Sequence, residues 1–267
     1  MPARPVILSI AGYDPSSGAG ITADIKTAAA LGCYAVTCPT ALTVQSTQGV
    51  FQVRALEPEL VSATLKALAD DMAFSATRIG MLGSGEVAAA VGEFLEKRRP
   101  ANIVADPVIR SSSGAALLDD AGLDVLRTRI LPLCDVITPN VHEAVILAGR
   151  EDEFGDALVQ AVWAITATLH EMGAKAVVIT GGHLNPPNDF LSYRRGEKIE
   201  REIFPGEHIQ SRSTHGTGCA FATALACHLA LGDDLRQATH AAKEYVRRAI
   251  ASAYPLGKGT GPVNHLG

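Results

Sequence analysis

The sequence predicts an α/β fold, a mostly parallel sheet with helices on both faces. Three observations predict it. Short apolar runs alternate with segments of helical periodicity along the 267-residue chain. The first run, Val6-Ile-Leu-Ser-Ile10, is apolar on successive residues, as in a strand buried on both faces. Hydrophobic residues make up 47% of the chain and aromatic residues only 5%, which suits a core of Ala, Val, Ile and Leu.

The elements follow in order. A strand over 6–10 leads into a Gly-rich loop over 12–20. A helix over 21–31 ends at Gly32. The next strand covers 34–42, with polar residues 43–48 at its carboxyl end, and 51–56 reads as a short edge strand. Pro58 opens a helix reaching residue 72, at an early position where its missing N–H costs little. Strand 76–81, helix 86–98, strand 102–105, helix 122–129 and strand 136–138 continue the alternation. Helices over 142–147 and 156–172 precede a strand over 175–180. Residues 190–195 and 198–204, separated by Gly196-Glu197, read as a polar hairpin. A buried helix then starts near Cys219, and a last helix covers 235–253. No linker or internal repeat divides the chain, so 1–267 is expected to be a single domain.

The formal net charge of −5 gives no electrostatic case for nucleic acid or an anionic membrane, and an anionic ligand needs a local site. The five cysteines are odd in number and match no common zinc spacing. Burial explains Cys33 and Cys38 better than a disulfide. No cleavable apolar signal and no membrane-length apolar run are present, so a cytoplasmic location is expected.

In open parallel sheets ligands bind beyond the carboxyl ends of the strands. Asp14, Gln45, Gly80-Met81, Asp106, Asn140, Glu143 and Gly181-Gly182 all fall there. The loop Gly12…Gly18-Ala-Gly20 has neither the dinucleotide-binding nor the P-loop spacing, and no Gly-x-Ser-x-Gly elbow exists. Two readings stand for Gly216-Thr217-Gly218-Cys219. One is an anion site at a helix start, with a thiol beside it whose pKa the helix lowers. The other is a tight turn before a core helix with a buried Cys.

A phosphoryl-transfer reading uses more of the chain than a Cys219–His215 covalent enzyme does. It needs positioning and charge neutralisation more than covalent chemistry. The N–H groups of 216–219 would hold the transferring group, and Asp106 and Glu143 would hold Mg²⁺ directly or through water. Each residue also has a plainer account. Asp106 before Pro107 starts a turn, Asn140 and Glu143 have near capping-box spacing, and Gln45 is a solvated loop residue.

Taken together, the motifs Ile10-Ala-Gly-Tyr-Asp-Pro-Ser-Ser-Gly-Ala-Gly20, Thr40-Ala-Leu-Thr-Val-Gln45, Arg78-Ile-Gly-Met-Leu82, Asp106-Pro-Val108, Thr138-Pro-Asn140-x-x-Glu143, Gly181-Gly-His183, His215-Gly-Thr-Gly-Cys219 and Gly259-x-Gly-Pro262 resemble, in order and spacing, the hydroxymethylpyrimidine and phosphomethylpyrimidine kinases. The resemblance implies a three-layer α/β/α ribokinase-like fold with a mostly parallel central sheet. It implies ATP- and Mg²⁺-dependent phosphorylation of 4-amino-5-hydroxymethyl-2-methylpyrimidine and then of its monophosphate, in thiamine biosynthesis; a homodimer is expected.

By motif, Gln45 and Asp24 resemble the polar contacts to the pyrimidine, and Gly12, Ala19, Val44, Met81 and Val108 the pocket lining. Gly216, Thr217 and Gly218 resemble the anion hole, and Cys219 stands where the wider superfamily has an Asp base. Asn140, Thr180, Gly182 and His215 are expected at the nucleotide, and Asp106 and Glu143 at the metal. Thr180 stands where the family often has Lys, Ile109 replaces a usual Met, and Ser46 a common Asn. Two alternatives are a pyridoxal or pyridoxine kinase on the same fold and a non-catalytic pyrimidine-binding protein.

Overall fold

The computed structural model describes residues 4–111, 113–150 and 158–266. One nine-stranded sheet runs through it, in the order β3-β2-β1-β4-β5-β6-β7-β8-β9. Strands β1 (Val6–Tyr13), β2 (Tyr34–Ser46), β4 (Ala76–Ile79), β5 (Ile103–Ala105), β6 (Val136–Ile137) and β7 (Ala176–Ile179) are parallel. At the edges, β3 (Gly49–Ala55), β8 (Asp189–Arg195) and β9 (Lys198–Phe204) run antiparallel to their neighbours. The hairpin expected over 190–204 is therefore the end of the main sheet.

The parallel strands send alternate side chains to opposite faces. Ile103 and Ala105 of β5 join one core cluster while Val104 joins the other; in β7, Val177 and Ile179 oppose Ala176 and Val178. The first cluster is covered by α2 (Pro58–Asp71), α3 (Gly85–Arg98), α5 (Val141–Ala148) and α6 (Leu158–Glu171). The second is covered by α1 (Gly20–Ala30), α7 (Thr217–Leu231) and α8 (Leu235–Ala251). These are the three α/β/α layers of the ribokinase-like fold that the resemblance implied.

Differences from the expected elements have local causes. Strand β2 runs on to Ser46 because its carboxyl half pairs with β3, projecting as an antiparallel ribbon. The register shifts between Val44 and Gln45, a bulge that turns the end of the ribbon. Helix α4 (Asp120–Val125) starts earlier than expected, capped by Asp119, and then widens into a looser turn over Leu126–Ile130. A small parallel pair, β10 (Ser213–His215) with β11 (Gly261–Pro262), escaped the sequence reading; strands this short carry no periodicity. The first residues of the expected helix over 156–172, residues 156–157, lie outside the described residues.

Strand β1 has β2 on one side and β4 on the other, so the chain reverses its direction of travel across the sheet there. Such a switch point opens a crevice at the carboxyl ends of the strands. Asp14 follows β1, Met81 follows β4, Asp106 follows β5 and Asn140 follows β6.

Candidate active site

Helix α7 aims its N-terminus at this crevice. Its cap residue, Gly216, has φ 85°, and a Cβ there would lie 1.7 Å from the carbonyl oxygen of Gly18. Only glycine combines that left-handed conformation with that close approach. The helix then becomes apolar on all sides, and residues 220–227 are buried. The burial fixes the axis, so the free N–H groups at Thr217, Gly218 and Cys219 point where the fold directs them.

Below that N-terminus lies a charged cluster. Arg78 on β4 is fully buried. Its Nη2 donates to Asp106 Oδ2 at 2.8 Å, and its Nη1 faces Asp24 Oδ2 at 3.2 Å. The Cys219 thiol lies beside both Arg78 and Asp106 and receives the Gly20 N–H at the start of α1. A Cβ on Gly218 would lie 3.9 Å from both Asp106 oxygens. Residues far apart in sequence thus meet at one point, Cys219 among them.

The thiol does not behave as the helix start alone predicts. Burial, the largest influence, pushes Cys219 up to about 12; Asp106 and Asp24 add to this, and Arg78 only partly offsets it. The expected lowering of its pKa is therefore overturned in the ligand-free protein. Removal from water outweighs the partial charge of a helix terminus. Burial also pushes Asp106 up, to about 6, against the pull of Arg78.

Asp24 also differs from expectation. It has no exposed surface; its oxygens accept from Ser9 Oγ at 2.6 Å and Thr223 Oγ1 at 2.7 Å and pair with Arg78. A direct contact with a ring is closed to it. It joins α1 to β1, β4 and α7 from beneath.

A second group surrounds the loop over 14–19. Asp14 accepts from Ser16, from the N–H groups of Gly18 and Ala19, and from His215 Nε2 at 2.7 Å. Burial raises its pKa, but the hydrogen bonds from His215 and Ser16 prevail and hold it below the usual carboxylate range. Gln45 brings its amide nitrogen to 3.2 Å from the same His215 nitrogen. With its proton on Nε2, His215 donates to Asp14, and the Gln45 N–H group finds no acceptor there. That leaves the amide N–H group free for a ligand, while the amide oxygen accepts from Thr43 Oγ1 at 3.2 Å.

Met81 is close enough to Gly12 that a Cβ on Gly12 would touch its sulfur at 2.7 Å. Met81, Ala41 and Leu117 form a small apolar cluster with Val108 against it. Ala19 caps α1, and Val44 stands exposed on the β2–β3 ribbon. His215, expected on the nucleotide side, is instead held between Asp14 and Gln45.

A third group lies across the sheet. Asn140 and Glu143 form a complete capping box on α5, each side chain bonding the other's backbone N–H at 2.9 Å. Asn140 also bridges to Thr180 on the neighbouring chain segment. Burial raises the Glu143 pKa, and negative Asp106 nearby raises it further. Gly182 is exposed, with nothing within 4 Å of a Cβ placed there.

Arg78 is the residue whose role sequence reasoning missed. It stands in a quoted motif, but a lone Arg on a short strand reads as a surface residue until the fold buries it. Gly80 is the available signal: a Cβ there would strike Arg78, so the pair specifies a guanidinium folded back on the chain.

The sequence profile of the phosphomethylpyrimidine kinase family matches residues 14–264. The hydroxymethylpyrimidine/phosphomethylpyrimidine kinase of Streptomyces coelicolor is 41% identical over 263 residues, covering 98% of this chain and 94% of that protein. The thiamine biosynthesis bifunctional protein ThiED of Geobacter sulfurreducens is 40% identical over 98% of this chain; the match covers 52% of that protein, so the chain spans about half its length. Among solved structures, an ADP complex of Bacillus subtilis pyridoxal kinase has a TM-score of 0.86 at 31% identity, with 98% of each chain covered.

Proposed function

The chain belongs to the phosphomethylpyrimidine kinase family, and from that membership we propose that it phosphorylates 4-amino-5-hydroxymethyl-2-methylpyrimidine with ATP, then its monophosphate to the diphosphate, in thiamine biosynthesis. One observation carries the reading: the N-terminus of α7 and Cys219 meet Asp106 and Arg78 at the switch point of the sheet. The acceptor oxygen attacks the terminal phosphorus of ATP, the bond to the bridging oxygen breaks, and ADP leaves. The N–H groups of 217–219 hold the charge on the transferring group.

The acceptor proton needs a base, and a thiol raised to about 12 is not one by itself. Asp106 beside it completes the step. As Cys219 takes the hydroxyl proton, its own proton passes to Asp106. Gln45 offers its amide to the pyrimidine ring, and Gly12, Met81 and Val108 form the apolar wall. Asn140, Thr180 and Gly182 lie toward the nucleotide.

Among the described residues no group of three or more His, Cys, Asp and Glu side chains is arranged to hold a metal ion. Glu143 nevertheless lies near Asp106, whose negative charge helps to raise its pKa, and Arg78 bonds only one of the two Asp106 oxygens. A pair of carboxylates with water is a donor set that Mg²⁺ accepts. Bound there, Mg²⁺ supplies charge neutralisation to the phosphate oxygens. All five cysteines are free, in keeping with a reducing cytoplasm, and no described helix is long and apolar enough to cross a membrane. The apolar side chains exposed on the β2–β3 ribbon, Leu42, Val44 and Phe51, suit a homodimer contact.

The test is incubation with the pyrimidine alcohol and MgATP, with mono- and diphosphate resolved. Neither product, with ATP unconsumed, rejects the reading. The likeness to pyridoxal kinase favours one second reading, phosphorylation of pyridoxal on the same site. Parallel assays separate the two, and turnover of pyridoxal alone selects it.

A further inference from the structure

Arg78 is buried below the transfer site, and the reaction as described gives it no part. Its surroundings go beyond those of a simple structural ion pair. Among the described residues it is the one Arg or Lys with a fully buried side chain, and it bridges two carboxylates from different elements, Asp24 on α1 and Asp106 after β5. Its Nε and Nη1 make no well-formed hydrogen bond. A guanidinium placed only to neutralise Asp24 would turn its fork onto that carboxylate, as bidentate pairs do. Here the better-formed bond goes to Asp106, and the thiol of Cys219 lies beside the same group.

We propose that Arg78 is a positioning residue for phosphoryl transfer: it holds the Asp106 carboxylate against Cys219 and sets a fixed positive charge under the N-terminus of α7. The proposal rests on the reading of Cys219 and Asp106 as the transfer site. Without Arg78, Asp24 and Asp106 face each other beneath an anion hole, and their combined charge opposes the incoming phosphate. Asp106 also loses the bond that orients it. Among the described residues Arg78 pairs with Asp24 and Asp106 and not with the pyrimidine-facing Gln45, His215 and Asp14, which keep their arrangement without it. The effect therefore falls on kcat and leaves pyrimidine binding intact.

The experiment compares R78M, R78K and the charge-balanced double variant R78M/D24N with the parent enzyme. Thermal unfolding, pyrimidine affinity by calorimetry, and kcat and KM are measured on each. R78M alone leaves Asp24 buried and unpaired and is expected to fold poorly, so the double variant carries the test. The expected result is a folded double variant with parental pyrimidine affinity and kcat lowered about 100-fold, the scale set by a catalytic group displaced by about an ångström. R78K is expected to fall between them, since an ammonium supplies charge without the planar fork. Near-parental kcat in R78M/D24N overturns the proposal and leaves Arg78 as a counter-ion of Asp24. Equal losses in kcat and in pyrimidine affinity also overturn it. A parent enzyme that transfers no phosphate to either acceptor rejects the functional reading instead.

Discussion

A Cβ on Gly80 would lie 1.9 Å from Nη1 of Arg78 and 2.7 Å from its Cζ. The guanidinium folds back over its own strand, and Gly80 is the space it occupies. A flexible surface Arg would step aside for one methyl group, but Arg78 is fully buried and paired at both ends. G80A is therefore expected to destabilise the fold by about 1–3 kcal/mol, the usual cost of overpacking, and to lower kcat as Arg78 is displaced. Denaturant unfolding together with steady-state kinetics checks this. Parental stability and turnover would show that Arg78 has room to move.

Cys219 is expected to act in transfer and not in acceptor binding. C219A should lower kcat about 100-fold or more, the range of proton-transfer groups, with pyrimidine affinity close to that of the parent. C219S keeps a proton-passing group and should retain more activity than C219A. Calorimetry and a coupled ADP assay separate the two effects. Near-normal turnover in C219A removes the thiol from the step.

Asp14 organises the loop over 14–19 and orients His215, which stands next to Gln45. A hydrogen bond to a charged group contributes about 1.5–3 kcal/mol. D14N is expected to raise the KM for the pyrimidine about tenfold or more, with a smaller change in kcat. An unchanged KM would mean that the Gln45 amide is fixed by Thr43, its other partner, without help from His215.

Thr180 presents a hydroxyl where the resemblance implies an ammonium. T180K should lower the KM for ATP about tenfold, the scale of one charge-assisted hydrogen bond, and leave the pyrimidine KM unchanged. A raised KM for ATP would place Thr180 away from the phosphates.

The Glu143 pKa is raised in the folded chain, first by burial and then by Asp106. A raised carboxylate binds its proton more tightly folded than unfolded. It therefore stabilises the fold below the ordinary carboxylate range and loses that contribution as pH rises through its folded value. The ligand-free enzyme should lose stability between about pH 4.5 and about pH 8, and E143Q, which still accepts the Asn140 N–H, should lose less. Unfolding free energies across that range check the slope. An equally steep slope in E143Q assigns it to other groups.

Most of the fold was legible in the sequence because strands and helices write their burial into local periodicity. The run over 6–10 and the small apolar residues after Cys219 needed nothing from the rest of the chain. The continuation of β2 through Gln45 was hidden, because its partner β3 is what makes a polar segment a strand. The pairing of Ser213–His215 with Gly261–Pro262 was hidden for the same reason.

The site divides along similar lines. The Gly-Thr-Gly-Cys219 helix start and the Asn140–Glu143 capping box are read from neighbours in sequence, since caps act over three or four residues. The fate of each charge is not local. Asp24 was expected at the pyrimidine, yet α1 turns it inward onto Arg78. Cys219 was expected to ionise readily, yet burial beside two carboxylates keeps its proton on.

The sequence by itself determined the alternation of elements, the sheet they form, and which loops meet at its carboxyl edge. Only the tertiary structure decided that the helix start of α7 rests on a buried Arg78 shared between Asp24 and Asp106. Hydrophobic patterning is a short-range property of the chain. The energy of a charge depends on how much water the whole fold removes from it and on which distant charges replace that water.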